Sequence, residues 1–173
     1  MTMTTRLGGA LAAMTLAASL MTTVGIGIVA VPAFASAPVA DADGCTGPAS
    51  DVRLFVTITN VRAAKGLVAV TLYADDRHKF LAHHGSLYVG RVPAVAPTTR
   101  MCIYVPADGV YALAVYHDED ANRKFNRTTI GLPAEGYGFS NNPSTFLGMP
   151  SFTSVRMVVP HSGAQTSVRL KYP

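Results

Sequence analysis

Val52-Arg53-Leu54-Phe55-Val56-Thr57-Ile58-Thr59 places Val52, Leu54, Val56 and Ile58 on one face, with Arg53, Thr57 and Thr59 on the other. A period of two over eight residues is the signature of a half-buried β-strand, because successive side chains leave a strand on opposite sides. Asn60 to Gly66 interrupts the pattern, and Leu67 to Ala74 resumes as a second β-rich run, so the two are expected to be neighbouring antiparallel strands. Ser86–Val95, Thr98–Val105, Val110–His117, Thr153–Val159 and Thr166–Leu170 complete a set of seven. Helical spacing is poor throughout, and only Asp75 to His84 has room for a short helix. The turn signals Pro106-Ala-Asp-Gly109 and His161-Ser-Gly163 favour antiparallel connections. The fold class predicted is all-β: one antiparallel β-sandwich with a long loop after the fifth strand.

Asp108-Gly109-Val110-Tyr111, followed by Ala-Leu-Ala-Val, resembles the strand of immunoglobulin-like and prealbumin-like sandwiches that starts after a glycine turn with a buried tyrosine. The physical logic is that the ring fills the edge of the core while its hydroxyl reaches a backbone group of the preceding loop.

The domain is expected to span residues 51–173, preceded by a mature N-terminal segment at 36–50 and a cleaved signal peptide at 1–35. Arg6 supplies the positive start of that leader, no further charge occurs before Asp41, and Ala33-Phe34-Ala35 places small residues about a cleavage point. The competing reading is an uncleaved membrane anchor, which Thr, Ser and Gly dilute and Pro32 interrupts. Cleavage leaves no membrane span and an exported protein, periplasmic or secreted. In an oxidising compartment Cys45 and Cys102 can form one disulfide, tying the N-terminal segment to the sheet at about 4 kcal/mol in the chain-entropy model. Two free thiols and an intermolecular bond are the alternatives; the spacing is not that of a redox C-x-x-C pair. The formal charge of +4 comes from Lys and Arg scattered singly, with only Arg123, Lys124 and Arg127 close together. That is a solvated surface and excludes a nucleic-acid footprint.

Chemistry concentrates between Val115 and Phe152. Asp118, Asp120 and Asn122 occupy positions one, three and five of a loop, with Asn126 at nine, an oxygen-rich order that suits calcium. Arg123 stands where a sharp calcium loop has glycine, and Thr129 stands where it has a bidentate glutamate, so the alternative is a solvated loop whose Asp and Asn side chains cap their own turns. His117 lies in strand parity with Tyr111, Leu113 and Val115; its functional reading is a general base or metal ligand oriented by Asp118 or Glu135, and its structural reading is a strand-end histidine. Ser140 and Ser151 are not in a nucleophile elbow. His78, His83 and His84 lack a completing cysteine and read as surface histidines rather than a zinc site. In Glu135-Gly-Tyr137-Gly-Phe139-Ser-Asn141-Asn142 the glycines present two rings beside amides, either as a ligand platform or as a plug over one end of the core.

His117-Asp118, Gly131-x-Pro133-x-Glu135-Gly-Tyr-Gly-Phe-Ser-Asn-Asn142 and the later Gly-x-Pro-Ser-Phe152 together resemble the bacterial domain-of-unknown-function family numbered 2141, from about Val52 to Leu170. The resemblance implies a small exported β-sandwich without an assigned activity. Members often carry an acidic loop like Asp-x-Asn-x-Asn-Gly-x-x-Asp, from which this chain departs at Ala121, Arg123 and Asn126.

The function expected is a non-enzymatic binding or accessory module of the cell envelope, recognising an envelope glycan or protein, with no cofactor. His117, Glu135, Tyr137, Phe139 and Asn141 are its candidate ligand-binding residues. One alternative is a calcium-stabilised module using Asp118, Asp120, Asn122 and Asn126. The other is a hydrolase using His117 with Asp118 or Glu135.

Overall fold

The computed structural model describes residues 44–173; the expected leader at 1–35 and residues 36–43 lie outside them. Nine strands occur among the described residues: β1 (Cys45–Thr46), β2 (Val52–Thr59), β3 (Leu67–Ala74), β4 (Tyr88–Pro93), β5 (Thr98–Val105), β6 (Gly109–Asp118), β7 (Gly136–Phe139), β8 (Arg156–Val159) and β9 (Ala164–Arg169). One four-residue helix, α1 (Phe152–Val155), precedes β8. The domain is nearly all β, in two sheets that do not close on one another. The first has the order β1-β5-β2-β9; the second runs β4-β3-β6-β7, with β8 also paired to β6.

Between the sheets lies one large apolar cluster. Val52, Leu54, Val56 and Ile58 of β2 and Ile103 and Val105 of β5 meet Val68, Val70 and Leu72 of β3 and Tyr111, Leu113 and Val115 of β6. The alternation of β2 is therefore the pattern of one buried and one solvated face. β3 differs: all six interior residues of LVAVTLYA are buried. Its outward residues lie under a second cluster, in which Tyr73, Ala112, Phe139 and Val155 pack with Phe80, Leu81, Ala114, Tyr137 and Phe152. Strands covered on both faces read as continuous apolar runs.

Several expectations change. β2 and β3 are not hydrogen-bonded neighbours: β2 pairs with β5 and β9, β3 with β4 and β6, and Asn60 to Gly66 crosses from one sheet to the other. Two apolar faces that both need cover are buried better opposite each other than side by side. The pairing is mixed rather than purely antiparallel, since β1–β5 and β2–β9 are parallel. Residues 75–84 form successive turns rather than a helix, with the amides of Lys79 and Phe80 both donating to the Asp76 carbonyl. The segment Thr153–Val159 begins as α1 and becomes extended only at Arg156. Gly136–Phe139 is a strand, not a loop, and pairs with His117 through Ala114.

Two small devices hold the ends of the sheets. The Tyr111 hydroxyl donates to the Ala107 carbonyl at 2.9 Å, which fits the logic of a buried tyrosine after a glycine turn. Cys45 and Cys102 form a disulfide across the β1–β5 pair and place the N-terminal segment within the first sheet. No helix among the described residues is long and apolar enough to cross a membrane.

Candidate functional site

β6 ends in His117-Asp118, and strand geometry sends these side chains to opposite faces. His117, fully buried, continues the inward row of Leu113 and Val115. Its Nε2 donates to the Lys65 carbonyl at 2.8 Å, so in the neutral ring Nδ1 accepts from the Tyr172 hydroxyl, also at 2.8 Å. That hydroxyl in turn accepts the Arg62 amide at 3.1 Å. The carboxylate nearest His117 is Glu119, at 3.5 Å, neither Asp118 nor Glu135. Glu119 is itself held by a two-pronged bond from the Arg62 guanidinium, which is the main cause of its lowered pKa. With both ring nitrogens occupied, His117 offers neither a base nor a metal ligand in this arrangement. It locks the β2–β3 crossover and the C-terminal Tyr172 onto the end of β6.

On the outward face, Asp118 begins a tight loop. Its carboxylate accepts the amides of Asn122 (3.0 Å) and Arg123 (2.8 Å), Asp120 accepts the Asn122 amide (3.1 Å), and Glu135 accepts the Asn126 amide (3.0 Å). These bonds bring oxygens of Asp118, Asp120 and Glu135 within 4.8 Å of one another. Among the described residues no Lys, Arg or His forms an ion pair with them. Burial first, and then the charges of Asp118 and Asp120, push the Glu135 carboxyl above its ordinary pKa, while the Asn122 amide is the main influence holding Asp120 below its own. Asn122 and Asn126 side chains stand beside the three acids, bonded to Asp120 and to each other.

Two objections drawn from the loop sequence take a different form in three dimensions. Arg123, in the place of the expected glycine, adopts φ 63°, as Ala121 adopts φ 57°, so the chain makes left-handed turns without glycine. The third acid comes not from position 129 but from Glu135, at the threshold of β7, which the β6–β7 pairing returns to the same end of the sheet. Three carboxylates thus meet at one end of the second sheet, while Asn122 and Asn126 turn their amide nitrogens toward Asp120 and their oxygens accept from the Lys124 amide and the Asn122 side chain. A hard cation takes six to eight oxygens; the carboxylates suit calcium in kind, and the two asparagines as placed add no ligand to them.

The rings of the Gly-Tyr-Gly-Phe segment both project outward from β7. Phe139 is buried against Phe80 and Tyr137, in the manner of a plug, whereas Tyr137 is only half-buried and packs on Phe125. Tyr137 thereby forms one wall of a groove of about 240 Å³ on the outer face of the second sheet, lined by Tyr73, Tyr116, Phe125, Arg127, Phe139 and Met149 among others. Tyr73, Tyr116, Phe125 and Arg127 were not legible as site residues; their signal is the outward parity of β3 and β6 and the return of the loop over that face. Asn141 is not in the groove. At φ 63° its amide ties to the carbonyls of Ser154 and Arg156, and Asn142, at φ 48°, ties to Ser167 and Arg169 of β9. Buried Ser140 accepts the Leu113 amide and donates to the Val155 carbonyl, a structural use of its hydroxyl. His78, His83 and His84 are exposed.

Neither the curated proteins nor the solved structures contain a match to this chain. The family model described as "Uncharacterized protein conserved in bacteria (DUF2141)" matches residues 56–168, a span that runs from the middle of β2 into β9 and includes both the acid loop and the groove. The chain belongs to that family.

Proposed function

We propose that this protein is an exported, non-enzymatic binding module of the cell envelope, an immunoglobulin-like or prealbumin-like sandwich that holds its ligand in the groove on the outer face of the second sheet. One observation carries the reading: β3, β6 and β7 together with three separate connections converge on a concave, aromatic-lined surface, which is the common form of a ligand site. The polar residues that a hydrolase would need are engaged elsewhere, His117 with Lys65 and Tyr172 and Ser140 with Leu113 and Val155. The export signal at 1–35 is the basis for the envelope location. A panel of envelope glycans, peptidoglycan fragments and envelope proteins tests the proposal. Binding that is lost in Tyr137→Ala and Phe125→Ala, with the fold intact by circular dichroism, is expected; binding indifferent to both substitutions would sink it.

A second reading is favoured by the three carboxylates that meet without a basic partner. Calcium neutralises such a set and would brace the loop from Asp118 to Glu135, which carries Phe125 and Arg127 of the groove wall. Calcium at one hundred times its Kd would then stabilise the domain by about 2.7 kcal/mol. The melting temperature should rise with calcium and fall back with chelator in the parent chain, and neither change should occur in Asp120→Asn. Identical melts in calcium and in chelator would end this reading.

A further inference from the structure

The groove has a chemistry that narrows its occupant. Tyr73 and Tyr116 project from neighbouring strands of the second sheet, and their hydroxyls form no hydrogen bond with another described residue, although Tyr73 is only 7% exposed. Burial first, and then the proximity of Tyr116, raises the Tyr73 pKa, so this phenol remains a neutral donor at physiological pH. Arg127 lies at the rim. Its Nη1 donates to the Gly131 carbonyl at 2.9 Å and its guanidinium lies over the Phe125 ring at 5.0 Å, a seat that fixes the group and leaves further N–H donors free. Among the described residues no carboxylate forms an ion pair with Arg127. The remaining walls include the rings of Phe125, Tyr137 and Phe139, with Leu81, Ala114 and Met149 beside them.

We propose that this groove binds a small carboxylic acid built on a single ring, with the ring against Phe125, Tyr137 and Phe139 and the carboxylate toward Arg127 and the Tyr73 and Tyr116 hydroxyls. The size follows from the volume: 240 Å³ falls below the roughly 300–1,000 Å³ of sites for drug-sized ligands, so one ring with a short acid arm fills it. The charge follows from Arg127, because a fixed guanidinium with free donors recognises carboxylate by paired hydrogen bonds. Aromatic walls alone would equally suit a quaternary ammonium, but a cation in this groove would face the guanidinium. The assignment rests on the groove being the binding site proposed above.

The test uses the purified chain and four probes of similar size: benzoate, phenylacetate, benzamide and benzyltrimethylammonium. Binding is followed by the NMR signals of the tyrosine rings, with glucose as a ringed but non-aromatic control. Benzoate or phenylacetate should shift the tyrosine signals at concentrations at least tenfold below those needed for benzamide, and Arg127→Gln should remove that preference while the melting temperature stays within 2 °C of the parent, as befits an exposed side chain. Equal binding of benzamide, tighter binding of the ammonium, or an Arg127→Gln chain that still prefers the acids would overturn the charge assignment while leaving the groove a binding site. No shift from any probe would overturn both.

Discussion

Replacing His117 by Leu separates a structural histidine from a catalytic one. The substitution keeps an apolar side chain of comparable bulk in a fully buried position, so cavity formation adds little. It strands the Lys65 carbonyl, which loses its Nε2 donor on the side that faces buried His117, at about 1–3 kcal/mol. The Tyr172 hydroxyl loses its acceptor but still receives the Arg62 amide, and that lost bond is worth about 1 kcal/mol. The sum, about 2–4 kcal/mol, is a large part of the roughly 5–15 kcal/mol that holds a domain together. For a domain of this length it corresponds to a fall in melting temperature of roughly 8–16 °C. Because the chain has no tryptophan, urea unfolding is best followed by far-ultraviolet circular dichroism. A cycle with Tyr172→Phe isolates the ring-to-hydroxyl bond: the two losses should be non-additive by about 1 kcal/mol, since either change alone removes it. His117→Leu within about 0.5 kcal/mol of the parent, or strictly additive losses, would refute the argument.

Two further perturbations bear on the acid cluster and the disulfide. Glu135 has a folded pKa raised above its unfolded value, so its contribution to stability is fully present below about pH 4.5 and is lost as pH rises through the raised value. In chelator, stability should therefore climb as pH falls from 7 toward that window, and Glu135→Gln should flatten the climb; superimposable profiles for the two proteins would reject like-charge crowding as its cause. Cys45→Ser opens a loop that reaches Cys102 and should lower stability by about 4 kcal/mol in the chain-entropy model, read from the denaturant midpoint. An unchanged midpoint would mean that β1 contributes nothing to the first sheet.

The residues that announced themselves in the sequence were those whose local pattern carries its own physical meaning. VRLFVTIT alternates because one face of β2 is buried and the other solvated. LVAVTLYA is a nearly continuous apolar run, the pattern of a strand covered on both faces, but a run without a period does not tell which elements do the covering. Asp118, Asp120, Asn122 and Asn126 stand out by their spacing, whereas Glu135 reads as a partner of His117 or as the start of the glycine-rich segment and not as a member of the acid loop. Its meeting with Asp118 depends on a hairpin-like return that loop spacing does not encode. His117 was legible as inward-facing by parity, but its partners come from the β2–β3 crossover and the extreme C-terminus, more than fifty residues away in each direction.

Amino-acid order by itself determined the all-β class, the inward rows of β2 and β6 and the family, since these depend on alternation and on short contiguous motifs. Tertiary structure alone decided which strands are neighbours, that Gly136–Phe139 is a strand, that His117 is engaged on both nitrogens, and that five rings and one guanidinium share a groove. The division has a physical cause. Period and turn chemistry act over a few residues, whereas sheet order is chosen by which apolar faces can cover one another, a property of the whole chain.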